Sequence, residues 1–270
     1  EDIESVTILK GPEATALYGS DGAGGAIVIT TKKGKTGKTQ LTYTGTVSLA
    51  QVYRYPQTQS TYSRGANGAF DPTAYNAYGY SFFGPKYDDN TPRYNNAKNF
   101  FRNALTQQHN VTLEAGTPTL NYRLSGGYLN QEGVVPNTKL VRYNFRLSSF
   151  AELGKKFKLN TTIAYIRSDN DKATKSAGSF YTNLMTFPSD IDARDYINPD
   201  GTRKLLRNVA ANAELNNPFW DVNKNLSNDK TDNFVGNLSL TANIAKGLTA
   251  TGIIGINSFT TMGSMFYHPC

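Results

Sequence analysis

The residues that come nearest to a chemical motif are the glycines Gly22, Gly24 and Gly25, in the segment SDGAGGAIVITT. A glycine-rich loop cradles a phosphate when it follows a strand and opens a helix, because backbone N–H groups then face the anion. Here the glycines lead into a β-prone run, residues 26–31, and the sequence has no Gly-Lys-Ser/Thr phosphate loop. The segment therefore predicts a compact strand–helix–turn–strand unit rather than a nucleotide site.

The other reactive side chains stand apart from one another. His109 and His268 are distant in the chain, and the single cysteine, Cys270, has no partner for an intrachain disulfide. The acidic pairs in residues 88–90 and 169–171 lack the spacing of a calcium loop, which favours solvated loop charges. We therefore expect no enzyme, no cofactor and no metal site.

Composition narrows the class of protein further. The net charge is +7, but the basic residues are scattered and no recognition helix is visible, so nucleic acid is not an expected partner. No apolar run approaches the roughly 18 residues of a membrane helix. Aromatic residues make up 12% of the chain, which is too many for disorder. These features suit a β-protein that has one apolar and one polar face.

The alternation of apolar and polar residues predicts strands. In residues 40–51, Leu41, Tyr43 and Val47 share one face and threonines share the other. The predicted strands are 40–51, 107–115, 120–130, 138–153, 157–167, 231–244 and 248–259. Most exceed the roughly 5–6 residues of a globular strand and reach the roughly 9–11 that a tilted membrane strand needs.

The connections between these strands alternate between long and short. The two long stretches, 52–106 and 168–230, are separated by short turns and one loop of medium length. Outer-membrane barrels place short turns on the periplasmic side and long loops outside. Arg123, Arg142 and Lys158 on the polar face suit a plugged or water-filled lumen. The fold class expected is mostly β, with antiparallel transmembrane strands; a soluble β-sandwich is the alternative.

The run KGPEATALYGSDGAGGAIVITTKKGK resembles the end of the plug domain of SusC/RagA-like TonB-dependent outer-membrane transporters. The motif residues are Gly11, Pro12, Tyr18, Gly19, Gly22, Gly24 and Gly25. NQEGVVPN and NPFWDVNKNLSNDKTDNFVGNLSL are also similar to this family, although Asp21 stands where the family usually has Arg. The resemblance implies that residues 1–38 are the last part of a plug with a solvated basic hinge at 32–38. Residues 39–270 would be about the first seven strands of a plugged barrel of about 22 strands.

The resemblance also implies a function. It is TonB-dependent import of oligosaccharide or oligopeptide nutrients across the outer membrane of a Gram-negative bacterium. The implied partners are outer-membrane lipid, a glycan or peptide ligand, a SusD-like surface lipoprotein over the external loops, and TonB, which would contact a segment absent from this chain. A siderophore or cobalamin receptor and a non-transporting surface adhesin are the alternative functions.

Aromatic side chains in the two long loops are the candidate contacts with a substrate or a lipoprotein lid, since rings pack on sugar faces and peptide side chains. The candidates are Tyr53, Tyr55, Tyr78, Tyr80, Phe82 and Trp220. Some of these rings could instead belong to the girdle of the barrel or stabilise the loops. Residues 217–220 are expected to anchor a loop, and Gly24 and Gly25 to give the plug a pliable point.

Overall fold

The computed structural model describes residues 3–32, 34, 37–72, 75–76, 79–173, 180–206 and 217–268. In chain order its elements are β1 Ile3–Leu9, α1 Gly11–Tyr18, a 3₁₀ turn Gly19–Gly22, β2 Ala26–Thr31, β3 Gly37–Ala50, β4 Gly65–Ala66, β5 Ala69–Phe70, β6 Tyr75–Asn76, β7 Gly79–Tyr80, α2 Asn96–Phe100, β8 Ala104–Gly116, β9 Leu120–Glu132, β10 Lys139–Leu153, β11 Phe157–Lys172, α3 Phe180–Met185, α4 Pro218–Lys224, β12 Leu226–Ala245 and β13 Leu248–Phe266. Among the described helices, none is long and apolar enough to cross a membrane.

Seven long strands form one antiparallel sheet, in the order β3, β8, β9, β10, β11, β12, β13. The seven long strands lie side by side in the same order as they follow one another in the sequence, and each pairs with the next. The sheet is therefore an up-and-down meander. Tight turns close one end: Gly154 and Gly247 adopt positive φ values of 67° and 80°, which glycine tolerates. The mostly β, antiparallel class expected from the sequence is confirmed, and the sheet is a partial barrel.

Several strands are longer than the alternation of the sequence predicted. β11 continues past residue 167 to Lys172, and β12 begins at Leu226 rather than at 231, which shortens the second long connection to residues 173–225. β13 runs to Phe266, beyond the end predicted at residue 259. Polar side chains extend the ladder, because Asn228 Nδ2 donates to Asp169 Oδ1 at 2.6 Å and to Asp171 Oδ1 at 2.8 Å.

The two faces of the sheet differ in chemistry and in burial. One face, here called the outer face, is apolar and exposed: Leu41 is 70% exposed and Ile254 is 72% exposed. The opposite, inner face is polar, and Thr112, Arg123 and Ser148 on it are all buried. Proteins that fold in water alone show the reverse, with apolar groups inside and charged groups outside. A sheet with this arrangement suits a wall between lipid and a polar lumen.

Aromatic rings cross the outer face in one row near its loop end. Tyr128 pairs across the ladder with His109 on one side and with Tyr143 on the other. The ring centroids are 6.3 Å and 5.2 Å apart in these two pairs. Tyr43 extends the row, with its hydroxyl 2.7 Å from His109 Nδ1. Rows of this kind mark the edges of the apolar band in membrane barrels, and here the strands supply the rings rather than the long loops.

The N-terminal unit is a hairpin of β1 and β2 with α1 packed beside it. Ala14 is fully buried against Gly22, where an added Cβ would lie 2.5 Å from the carbonyl carbon and oxygen of Ala14. Gly25 has φ +95°, whereas a Cβ at Gly24 would meet no atom within 4 Å. Gly22 is therefore the closely packed glycine, and Gly25 is the one with an unusual backbone conformation. Gly24 has room for a side chain.

Gly34, between this unit and the sheet, touches the wall. A Cβ on Gly34 would lie 2.4 Å from the carbonyl oxygen of Tyr122, so this residue lies directly against the backbone of β9. The expectation that residues 32–38 form a wholly solvated hinge is wrong at this position. β3 also begins at Gly37, inside the segment predicted as hinge, because Gly37 already pairs with Gly116.

Candidate functional site: the loop cap

The long connections pack together at the end of the sheet that lies opposite the tight turns. This loop cap comprises the described residues of 51–103, 133–138 and 173–225. Its core contains Phe100, Leu184 and Val222. Rings pack on Phe100 from two sides, with centroid distances of 5.4 Å to Phe180 and 5.1 Å to Phe219. The cap is thus a small hydrophobic core built from segments far apart in sequence.

Asparagine and proline residues start the short helices that supply this core. Asn95 caps α2, since its side-chain oxygen accepts a hydrogen bond from the Lys98 N–H at 2.9 Å. Asn217 caps α4 in the same way, accepting from the Phe219 N–H at 2.8 Å, and Pro218 occupies the first turn. α4 in turn buries Trp220 and Val222. The sequence NPFW therefore begins a helix that anchors the loop.

A buried asparagine joins the first long loop to the second. The side-chain nitrogen of Asn96 donates to the Pro188 and Ile191 carbonyls at 3.1 Å and 2.9 Å, and its oxygen accepts from the Ala193 N–H at 3.0 Å. Within the second loop, Asn217 donates to the Ala193 carbonyl at 2.9 Å. Backbone groups that have no ladder partner are satisfied in this way, which holds the cap in one arrangement.

A carboxylate provides the second link between the loops. Asp190 accepts a hydrogen bond from the Tyr87 hydroxyl at 2.9 Å and pairs with Arg64 at 3.4 Å. Burial, followed by the hydrogen bond to Asp190, raises the pKa of Tyr87 to about 12. The hydroxyl is therefore protonated at neutral pH and serves as a donor.

An open cleft of about 940 Å³ lies between residues 53–60, 93–97 and 184–189 of the cap. Tyr53, Tyr55 and Phe82 line it, so the structure brings three of the six predicted aromatic contacts together. Tyr53 is 99% exposed, while Tyr55 packs on Phe101 with ring centroids 5.9 Å apart. Rings, side-chain amides and guanidinium groups share this surface, a combination that can hold a flexible polar chain.

Of the other predicted contacts, Trp220 does not line this cleft. Trp220 is only 1% exposed, and its ring packs edge-on against His268 at a centroid distance of 5.2 Å. Its burial favours the loop-anchoring interpretation over contact with a ligand. Tyr80 forms the short strand β7 with Tyr75 as its partner in β6, and Tyr78 lies outside the described residues.

Among the lining residues of the cleft that sequence reasoning missed are Arg54, Arg93 and Tyr94. The signal for Arg54 was its place between two candidate tyrosines in the run YRYPQ. Arg93 and Tyr94 gave no signal by themselves, because they reach the cleft only through packing of α2 against the second loop. Within the part of the chain that the structure describes, no three His, Cys, Asp or Glu side chains come together as a metal site would require.

The amino-acid sequence is similar to those of curated TonB-dependent receptors. No family model matches the chain. It is 29% identical over 262 residues to the TonB-dependent receptor SusC of Bacteroides thetaiotaomicron, an alignment that covers 88% of this chain and 24% of SusC. It is 24% identical to the TonB-dependent receptor P3 of Formosa agariphila, over 98% of this chain and 26% of the receptor. The chain thus spans about a quarter of the length of these curated relatives.

Solved structures show the same fold. The chain matches the RagAB peptide importer in its closed-closed state with a TM-score of 0.73 and 19% identity, over 99% of this chain and 33% of the solved one. The open-open state gives a TM-score of 0.70 and 21% identity, over 98% of this chain and 32% of the solved one. Sequence and fold together confirm the resemblance seen in the N-terminal run: over almost its whole length, this chain is similar to SusC/RagA-like TonB-dependent transporters.

Proposed function

We propose that this segment belongs to a transporter in the outer membrane of a Gram-negative bacterium. The transporter imports oligosaccharide or oligopeptide nutrients and depends on TonB. The observation that carries the proposal is the sheet itself, with an exposed apolar outer face, a buried polar inner face and an aromatic row at one edge. SusC is named a TonB-dependent receptor and RagAB a peptide importer, which supports the same class of function here.

In this proposal, each part of the chain has its own place in the transporter. Residues 1–38 are the last part of the plug, and residues 39–270 are the first strands of the barrel wall. The inner face lines the lumen, and lipid covers the outer face. Ile8 and Ile27, which are 74% and 68% exposed on the hairpin, pack against the rest of the plug. TonB contacts a part of the transporter outside this sequence and moves the plug.

The loop cap is the external surface of the transporter. Its cleft receives the substrate through Tyr53, Tyr55 and Phe82, and a SusD-like surface lipoprotein covers it. The side-chain hydrogen bonds of Asn96 and Asp190 give the cleft a fixed shape, so that a ligand does not have to order the loops on binding.

The experiment that tests the proposal uses the full-length protein in its own outer membrane. We expect heat-modifiable migration in detergent gels, co-purification of a surface lipoprotein, and loss of nutrient uptake when TonB is deleted. Uptake that continues without TonB, or a protein that leaves the membrane as a soluble monomer, would contradict the proposal. A TonB-dependent protein that purifies with no lipoprotein and binds a metal chelate would instead be a siderophore-type receptor.

The glycine packing of the N-terminal unit gives a sharper test of the plug assignment. Gly22→Ala forces a Cβ against the Ala14 backbone, and overpacking of this kind costs about 1–3 kcal/mol. We expect slower uptake from a barrel that still assembles and migrates normally, because the wall does not depend on this contact. Gly24→Ala is the matched control, since its Cβ meets open space. Equal uptake by both variants would contradict the assignment.

A further inference from the structure

We infer that the cleft of the loop cap selects anionic oligomers, with Arg54 and Arg93 supplying the charge that binds them. This inference rests on the proposed function, because it names the substrate class of the same cleft. The shared chemistry is a polar chain that bears carboxylates, which an acidic oligosaccharide and an acidic peptide both present.

The first support is the charge of the lining. Two arginines face the cleft, and among the described residues that line it there is no aspartate or glutamate. Asp190 follows the lining residue Ser189, but its carboxylate is engaged by Arg64 and by the Tyr87 hydroxyl. The cleft is thus electropositive, and a cationic ligand would find no carboxylate in it to pair with.

The second support is the way in which Arg93 is held. Its guanidinium carbon lies 4.3 Å from the centroid of the Tyr87 ring, and its Nη1 donates to the Ser60 carbonyl. A guanidinium has five N–H donors, so these contacts fix its position and leave further donors for a ligand. The hydrogen bond from Tyr87 to Asp190 keeps the supporting ring in place. Arg93 is therefore oriented before a ligand arrives.

The third support is the contrast with Arg54. This side chain is exposed, and no hydrogen bond or ion pair joins it to any other residue in the described part of the chain. It lies between Tyr53 and Tyr55, whose rings line the same cleft. Guanidinium groups bind carboxylates through two parallel hydrogen bonds, and neighbouring rings pack on sugar or peptide surfaces. One fixed and one adaptable arginine can hold successive carboxylates of an oligomer.

The test measures binding to the purified full-length transporter, with any lipoprotein that co-purifies, by isothermal titration calorimetry. The probes are two matched pairs: tetragalacturonate with maltotetraose, and a hexapeptide of glutamates with one of glutamines. We expect the anionic member of at least one pair to bind about tenfold more tightly than its neutral match, with an advantage that falls as salt rises. The pair that shows the difference identifies the source of the carboxylate.

Variants separate the cleft from general surface charge. Arg54→Gln and Arg93→Gln should each remove most of the preference for the anionic probe over its neutral match. Lys98→Gln removes the same charge from an exposed position on α2, outside the cleft lining, and should leave the preference unchanged. A neutral probe that binds as tightly as its anionic match, failure of all four probes to bind, or an unchanged preference in both arginine variants would overturn the inference.

These outcomes are distinct from a failure of the proposed function. Anionic preference in a protein whose uptake does not need TonB would leave the inference in place and overturn the transport proposal. TonB-dependent uptake with no anionic preference would do the reverse.

Discussion

The wall and the cap distribute apolar residues in opposite ways. On the outer face of the wall, Leu41 and Ile254 are 70% and 72% exposed, whereas in the cap Trp220 and Phe100 are each 1% exposed. Both regions belong to one chain of 270 residues. The difference teaches that they suit different surroundings: the cap hides its apolar groups from water, and in the proposed transporter the wall presents them to lipid.

Their polar groups differ in the same sense. The wall buries an ion pair, Arg123 with Glu114, on its inner face, while its backbone is satisfied by the ladder between strands. The cap has little ladder, so side-chain amides such as that of Asn96 satisfy its backbone carbonyls. The wall is therefore held by regular hydrogen bonds and the cap by specific side chains. A single substitution in the cap should then disturb only the contacts around it. In the wall, the effect of a substitution on stability should depend on which face of the sheet carries it.

The largest effect is expected from removal of the buried ring in the cap. Trp220→Ala deletes a side chain that is 1% exposed, and losses of this kind cost about 3–5 kcal/mol. We expect the cap to become sensitive to protease while the barrel still migrates as a folded, heat-modifiable band. Phe83→Ala is the control, because this ring is 72% exposed. A barrel that fails to assemble in Trp220→Ala would show that cap and wall are not separable.

The next largest loss of stability is expected from a charge on the outer face of the wall. Leu238 is on the outer face near the middle of β12, where an arginine costs about 2–4 kcal/mol in lipid. Ser239→Arg places the same charge on the inner face, one residue away, and should cost little. Equilibrium unfolding of the full-length protein in liposomes by urea measures both. Equal destabilisation by the two substitutions would contradict the assignment of the faces.

The smallest effect concerns the hydrogen bond between Tyr87 and Asp190. Tyr87→Phe removes it at a cost of about 1 kcal/mol, because Asp190 keeps its pairing with Arg64. The pKa of Tyr87 is raised to about 12, above its ordinary value of about 10. Its contribution to cap stability is therefore complete below about pH 10 and is lost as the pH rises through about 12.

Proteolysis of the cap at pH 8 and pH 11 checks this prediction. The wild type should lose protection between the two pH values by more than Tyr87→Phe does, since the variant has no hydroxyl to ionise. Tyr62→Phe is the control, because this side chain is 52% exposed. An identical loss of protection in wild type and Tyr87→Phe would show that the hydroxyl does not hold the loops.

The wall could be predicted from the sequence because its signal is local. Leu41, Tyr43 and Val47 alternate with threonines, and this period of two fixes both the strand and its apolar face. The ends of β11 and β12 were missed, because there the cross-strand partners Asp171 and Asn228 are polar and give no apolar alternation. Strand ends of this kind depend on pairing that a single segment does not reveal.

The cap could be predicted only in part. The aromatic richness of the first loop pointed to Tyr53, Tyr55 and Phe82, which do line one cleft. The bonds that shape the cleft join residues about a hundred positions apart, as Asn96 and Ile191 do, and no local pattern encodes them. Gly22 was one of several glycines in its segment, and only the approach of Ala14 shows that it is the tightly packed one.

The measurement that tests the central claim most directly is a spin-label accessibility scan along β12 of the full-length protein in lipid. Single cysteines at residues 234–240, in a Cys270→Ser background, would each carry a nitroxide. We predict that oxygen reaches the labels at residues 234, 236, 238 and 240, while a polar nickel reagent reaches those at residues 235, 237 and 239. A scan without this alternation, or one in which the polar reagent reaches both faces alike, would contradict a wall between lipid and lumen.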